Sequence, residues 1–208
     1  MDKDEVIRFY SEYSSQFEEK IGSLDIYHES YNDFICGAKR KSNMLDLACG
    51  PGNVSLFIKN MCPEIEITCV DLSDEMLELA KKKGFMAEFY KSDILNIDIP
   101  DKKYDLIMCA FGIPYIKSSE LERFVSEVNR YSEKGTSVYI SCMEGEFIEN
   151  EIMSFADFHT VSVQRHRKIN IVNSFEEFQF KLTNFNTQAY REPNGFETTD
   201  MFFSFEKV

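Results

Sequence analysis

The chain has 208 residues, of which 43% are hydrophobic and 28% charged, with 36 acidic side chains against 23 basic ones and a net charge of -13. That length and mix fit one α/β domain around a single core and exclude a disordered chain. The negative charge would repel a phosphate backbone, so no binding of nucleic acid is expected. The basic cluster Arg165 to Lys168 reads as a solvated loop or strand edge, or else as a contact for a phosphorylated metabolite.

Six cysteines stand singly among apolar residues, without metal-ligand or disulfide spacing and without a signal segment ahead of them. They predict a reduced interior and a cytoplasmic location, with no metal. The longest apolar run, Leu106 to Ile116, is about half the length a membrane span needs, so no membrane contact is expected.

In chain order, Lys3 to Phe34 is acidic, aromatic and helical in spacing, with Ile7, Tyr10, Ser14 and Phe17 on one face and Tyr27, Tyr31 and Phe34 on another. Two covering helices are predicted. Asn43 to Ala48 reads as a buried strand entering a tight turn at Gly50-Pro51-Gly52, with a helix from Val54 to Lys59. Ile65 to Val70 is a second strand. A helix follows to Lys83, capped by Ser73 and stopped by Gly84. Met86 to Tyr90, Tyr104 to Ala110 and Thr136 to Cys142 are further strands, the last preceded by a helix capped at Ser118 or Ser119 with Leu121, Phe124, Val125 and Val128 on its apolar face. Strands alternating with helices imply a parallel, doubly wound sheet.

Beyond Gly145 the expectations are a helix over Phe147 to Phe158, β-leaning chain from Thr160 to Val172, and a helical stripe of Phe175, Phe178, Leu182 and Phe185. Two last strands, Thr187 to Arg191 and Thr199 to Glu206, are joined by the turn signal Pro193-Asn194-Gly195.

The first strand-turn-helix carries the chemistry. Gly50 and Gly52 allow a sharp turn and close backbone approach, and the next helix directs free amides at the same place, which suits a nucleoside-type ligand. A dinucleotide fingerprint would need a third glycine where Ser55 stands. Asp46, ahead of the turn, suits a ligand with a cationic amino group, reached directly or through water. Asp71, at the end of the second strand, can accept from both ribose hydroxyls. Leu72 and Met76 can enclose a purine whose amino group donates to Asp93.

Taken in order, Asp46-x-Ala48-x-Gly50-x-Gly52, Val70-Asp71-Leu72-Ser73 with Met76-Leu77, Ser92-Asp93-Ile94 and Tyr104-Asp105-Leu106-Ile107 resemble the motifs of class I S-adenosylmethionine-dependent methyltransferases over Met44 to Cys142. The resemblance implies a Rossmann-like seven-stranded sheet of order 3-2-1-4-5-7-6 with strand 7 antiparallel, forming a core over 43–208 under a helical cap or lid over 1–40. It implies S-adenosylmethionine as cofactor, held by Tyr13, Asp46, Ala48, Gly50, Gly52, Asp71, Leu72, Met76, Ser92, Asp93, Ile94, Ala110 and Phe111, with Tyr13 closing over the methionine portion.

The implied reaction is SN2 methyl transfer to an oxygen, nitrogen or sulfur of a small molecule, by a monomer or homodimer. Its acceptor pocket would lie at the ends of strands four and five, around Phe111 to Tyr115. Ile113-Pro114-Tyr115 departs from the family motif that orients planar amino groups, so base or glutamine methylation is not implied. Candidates for a general base are His159, His166, Tyr115 and His28. A non-catalytic cofactor-binding subunit and a nicotinamide-dependent oxidoreductase are the alternatives.

Overall fold

The computed structural model describes residues 3–21, 25–38, 41–153, 155–156, 159–191 and 197–208. Three helices, α1 (Lys3–Glu12), α2 (Ser14–Ile21) and α3 (His28–Gly37), precede β1 (Asn43–Leu47), α4 (Asn53–Met61), β2 (Glu66–Asp71), α5 (Asp74–Lys82) and β3 (Glu88–Lys91). Then come β4 (Tyr104–Ala110), α6 (Leu121–Arg130), β5 (Ser132–Met143), β6 (Ile148–Ile152), β7 (Thr160–Gln164), α7 (Lys168–Glu177), β8 (Phe180–Arg191) and β9 (Glu197–Lys207). No described helix is long and apolar enough to cross a membrane.

Seven strands form one sheet in the order β3-β2-β1-β4-β5-β9-β8, with β9 antiparallel to both neighbours. Counted within that sheet, this is the expected order 3-2-1-4-5-7-6. The central strands are largely apolar because both faces are covered: Met44 to Leu47 and Tyr104 to Cys109 are all buried, Asp46 and Asp105 among them. On one face, Phe124, Val125 and Val128 of α6 and Phe175 of α7 pack on Ile107, Phe203 and Phe205. On the other, Tyr31, Phe34 and Ile35 of α3 share a core with Met44, Leu106, Met108 and Tyr139. α3 is therefore part of the sheet's covering layer, while α1 and α2 lie over the carboxyl ends of the strands.

Local signals are realised where they are strongest. Ser73 Oγ accepts the Met76 N–H at 3.3 Å and caps α5. The cap expected at Ser118 or Ser119 is replaced by a 3₁₀ turn over Ser118–Glu120, in which the Glu120 carboxylate accepts the Lys117 N–H at 3.0 Å. Cys49, Cys69, Cys109 and Cys142 are buried as expected, whereas Cys36 is exposed.

Past Gly145 the expectations need correction. The stretch read as a helix over Phe147 to Phe158 contains β6, which pairs antiparallel with β7 in a separate two-stranded sheet. Pairing wins because Val161 and Val163 of β7 are buried against Phe9 of α1 and Met153. The basic cluster is spent internally: Arg165 pairs with Glu149, Arg167 meets Glu146 at 3.3 Å, and the Lys168 ammonium lies 3.5 Å from the Phe185 ring centroid.

The stripe Phe175, Phe178, Leu182 and Phe185 does pack on one core, but helix α7 ends near Phe178 and the last two residues belong to β8. A bulge between Leu182 and Asn184 keeps Leu182 and Phe185 on the same face. The Pro193-Asn194-Gly195 turn lies outside the described residues.

The break from α7 to β8 turns on Gln179, a non-glycine residue at φ 61°. The left-handed region strains an L side chain and suits glycine. Gln179→Gly should therefore raise unfolding free energy by about 0.5–1 kcal/mol in urea titrations; a loss of stability would contradict a strained turn.

Candidate active site

The carboxyl ends of β1 to β4 open onto a cavity of about 350 Å³, which continues under α1 and α2 toward β5 and β9. Its floor is organised by Asp71. One carboxylate oxygen accepts the Gly50 N–H at 2.8 Å, and the other accepts the Ser73 N–H at 2.9 Å. The turn after β1 and the turn after β2 are thereby tied together. Burial raises the pKa of this carboxyl, while the bonds from Ser73, Gly50 and Leu72 pull it down.

Gly50 adopts φ 53°, and a Cβ there would meet only the Phe17 ring, at 4.0 Å. Its backbone thus faces the cavity without a side chain between. Gly52 serves a different purpose, since a Cβ would come within 2.9 Å of Ala80 Cβ and 3.1 Å of the Phe85 ring. It lets α4 approach α5 closely and does not line the cavity.

Of the residues singled out in the sequence, Ala48, Gly50, Asp71, Leu72, Met76, Ser92, Asp93, Ile94, Ala110, Phe111 and Tyr115 line the cavity. Ser92 Oγ accepts the Asp98 N–H at 2.8 Å and so shapes the turn after β3. Asp93 accepts the Leu95 N–H at 2.9 Å and forms an ion pair with Lys3 of α1 at 2.8 Å. Ser11 of α1 likewise meets Ser73 at 3.0 Å. The first helix is thus fastened to the turns after β2 and β3.

Three expected cofactor residues are placed elsewhere. Besides Gly52, Asp46 lies beneath the cavity at 1% exposure, accepting from Ser55 Oγ at 2.6 Å. A direct bond from this carboxylate to a ligand's amino group is therefore not offered by the structure. Tyr13 points away from the cavity, its hydroxyl 3.2 Å from His159 Nδ1; it is Tyr10, three residues earlier, that lines the cavity and bonds Tyr115.

The histidines are not in the cavity either. His159 is exposed, with Nδ1 2.7 Å from the Ala156 carbonyl. His28 stacks on Phe57 at 4.3 Å. His166 is buried behind the 3₁₀ turn Ile113–Tyr115, with Nε2 3.3 Å from the Ile113 carbonyl, and burial lowers its pKa. Its Nδ1 has no partner among the described residues. None of the three can reach a group in the cavity from these positions. Tyr115 does face it, but burial pushes its phenol well above the ordinary range, which makes it a donor and not a base.

Sequence reading missed Tyr27, Glu151, Met153, Phe155, Thr198 and Asp200, which wall the part of the cavity nearest β5. Tyr27 donates to Asp200 at 2.9 Å, and its ring lies 4.9 Å from that of Phe111. Asp200 is paired with Met143 across the β5–β9 ladder. Among the described residues no three His, Cys, Asp or Glu converge as a metal site would require.

This fold is shared with solved S-adenosylmethionine-dependent methyltransferases. Residues 44–135 match the family model described as a methyltransferase domain. The chain is 38% identical over 87 residues to a demethylmenaquinone methyltransferase of Thermotoga maritima, a stretch covering 42% of this chain and 37% of that protein. It thus spans well under half the length of that relative. Among solved structures, an S-adenosylmethionine-dependent methyltransferase from Clostridium acetobutylicum superposes with a TM-score of 0.69 at 20% identity, over 95% of this chain and 98% of the other. The magnesium protoporphyrin IX methyltransferase of Synechocystis, solved with bound cofactor, gives 0.75 at 12% identity over 100% and 98% of the two chains.

Asp46 makes this floor sensitive to pH. Burial and the neighbouring Asp71 push its carboxyl up from 3.8 to about 7, against the opposing Ser55 bond. Between those values the unfolded chain releases this proton before the folded one, so this group makes stability fall as pH rises from about 4 to about 7. Asp46→Asn should remove that slope, gaining about 1–4 kcal/mol over the parent between pH 4 and pH 8 in urea unfolding. Parallel pH profiles would contradict a neutral Asp46.

Proposed function

We propose that the chain is an S-adenosylmethionine-dependent methyltransferase acting on a small molecule. The observation that carries this is Asp71, a carboxylate at the cavity wall with an N–H on each oxygen and acceptor capacity to spare. It fits a ligand that brings vicinal hydroxyls to the end of β2. Leu72 and Met76 beside it fit a purine, with Asp93 beyond them at the end of β3. Gly50 and Ala48 fit close approach by the remainder of the ligand, with Ala110 and Phe111 opposite. Ser55 disfavours a nicotinamide dinucleotide, because its buried hydroxyl sits on Asp46 where a third glycine would be needed.

S-adenosylmethionine supplies an already activated methyl group, so the protein's tasks are to bind, orient and exclude water. Positioning alone is worth of the order of 7–11 kcal/mol in well-oriented systems. The helices α1 and α2 suit a lid role: Lys3, Ser11 and Tyr10 of α1 hold to Asp93, Ser73 and Tyr115. Opening such a lid would break these contacts.

The room toward β5 supports an acceptor site and disfavours a silent subunit. A net charge of -13 favours a metabolite over a nucleic acid, and the unpaired cysteines favour the cytoplasm. We extend the proposal to one methyltransferase domain over the whole chain, as a monomer or homodimer.

Incubation of the protein with methyl-labelled S-adenosylmethionine and a small-molecule extract should label a metabolite. No label above a protein-free control, with the cofactor bound, would sink the enzymatic reading. Asp71→Asn should weaken S-adenosylhomocysteine binding about 10–100-fold by removing charge and acceptor capacity; unchanged affinity would remove Asp71 from the site.

A further inference from the structure

The end of the cavity nearest β5 combines two features. Its walls are aromatic, with Tyr10, Tyr27, Phe111, Tyr115 and Phe155 all facing it, and its polar groups include the carboxylates of Asp200 and Glu151. Asp200 is only 4% exposed. Its placement follows from topology: because β9 runs antiparallel to β5, its first residues reach the same edge where β5 ends, and the Glu144 N–H bonds the Thr199 carbonyl at 2.8 Å. Tyr27 then reaches across from the start of α3 and donates to Asp200 at 2.9 Å.

Glu151 comes from the β6–β7 hairpin on the opposite side. Its charge is close enough to Tyr10 and Tyr115 to raise both phenols further. Among the described residues two cations line the cavity, Lys3 and Lys20. Lys3 is committed to Asp93 at the far end, and the Lys20 ammonium lies 5.5 Å from the Phe155 ring centroid. Aromatic faces attract a cation through the ring quadrupole, and a carboxylate in a low-dielectric pocket does so through its charge. An anionic acceptor would be set against both carboxylates that line this end. An apolar acceptor would bring no donor to Asp200.

We propose that the methyl acceptor is an amine on an apolar or aromatic body, with its nitrogen bound by Asp200 and its body enclosed by the aromatic walls. This rests on the methyltransferase reading of the same cavity. Asp200 would receive the ammonium and take one proton from it, freeing the nitrogen lone pair. Methylation then forms one N–C bond and breaks the S–C bond of the donor, whose electron pair stays on sulfur, and the net proton lost by the nitrogen resides on Asp200. Tyr27 is a positioning residue, holding that carboxylate toward the cavity by its hydrogen bond.

The test uses three probes of similar shape, 2-phenylethylamine, 2-phenylethanol and 3-phenylpropanoate, titrated into the full chain saturated with S-adenosylhomocysteine and followed by calorimetry or NMR shifts. The amine should bind at least about tenfold more tightly than the alcohol, with the carboxylate weakest. Asp200→Asn should cost the amine about tenfold or more while S-adenosylhomocysteine affinity stays within about twofold; Tyr27→Phe, which keeps every charge, should cost it about threefold. Equal binding of amine and alcohol, preference for the carboxylate, no amine binding at about 10 mM, or an unchanged amine affinity in Asp200→Asn would each overturn the proposal. The same titrations on the protein without cofactor separate the two readings. Failure of S-adenosylhomocysteine to bind sinks the methyltransferase assignment, whereas loss of charge preference sinks only the amine.

Discussion

The site depends on a half-buried carboxylate at the end of β2. Asp71 sits where the chain must turn, and it is held there because the Gly50 and Ser73 amides both point at it. Those bonds offset the cost of burying the charge and make the two neighbouring turns one rigid object. Gly50 can aim its amide this way because it tolerates φ 53°. Asp46 lies one strand away, and after burial the Asp71 charge also raises its cost of ionisation. A floor of this kind favours a ligand that carries positive charge together with hydroxyl donors.

The second half of the cavity is built from chain that the regular α/β alternation does not supply. β9 enters antiparallel and delivers Asp200 to the carboxyl edge, and the β6–β7 hairpin folds back so that Met153, Val161 and Val163 meet Phe9 of α1. The hairpin and the first helix therefore share one small apolar core above the cavity. Covering and cavity-facing surfaces are coupled by that packing, and movement of α1 would disturb Phe155 and Tyr115 through Phe9 and Tyr10.

How much of this was legible in the sequence follows from where the physics is local. β1 through α6 could be read because central strands buried on both faces are mostly apolar, and because Ser73 is a cap whose partner lies three residues away. The glycines were legible as a turn, but not their division of labour, since the obstacle at Gly52 is Ala80 and Phe85 from other elements. Asp200 was invisible because its role is set by strand direction and by Tyr27, 173 residues distant. Tyr10 and Tyr13 are three residues apart, and it is distant partners, Tyr115 for the first and His159 for the second, that distinguish them. After α7 the pattern misled because a bulge in β8 gave a strand the spacing of a helix.

The central claim, that this floor is built for S-adenosylmethionine, is tested most directly by calorimetric titration of the purified chain with S-adenosylmethionine and, separately, with NAD. Saturable binding of the first at one site per chain, with no heat from the second, is the predicted result. Saturable binding of NAD with none of S-adenosylmethionine would contradict it.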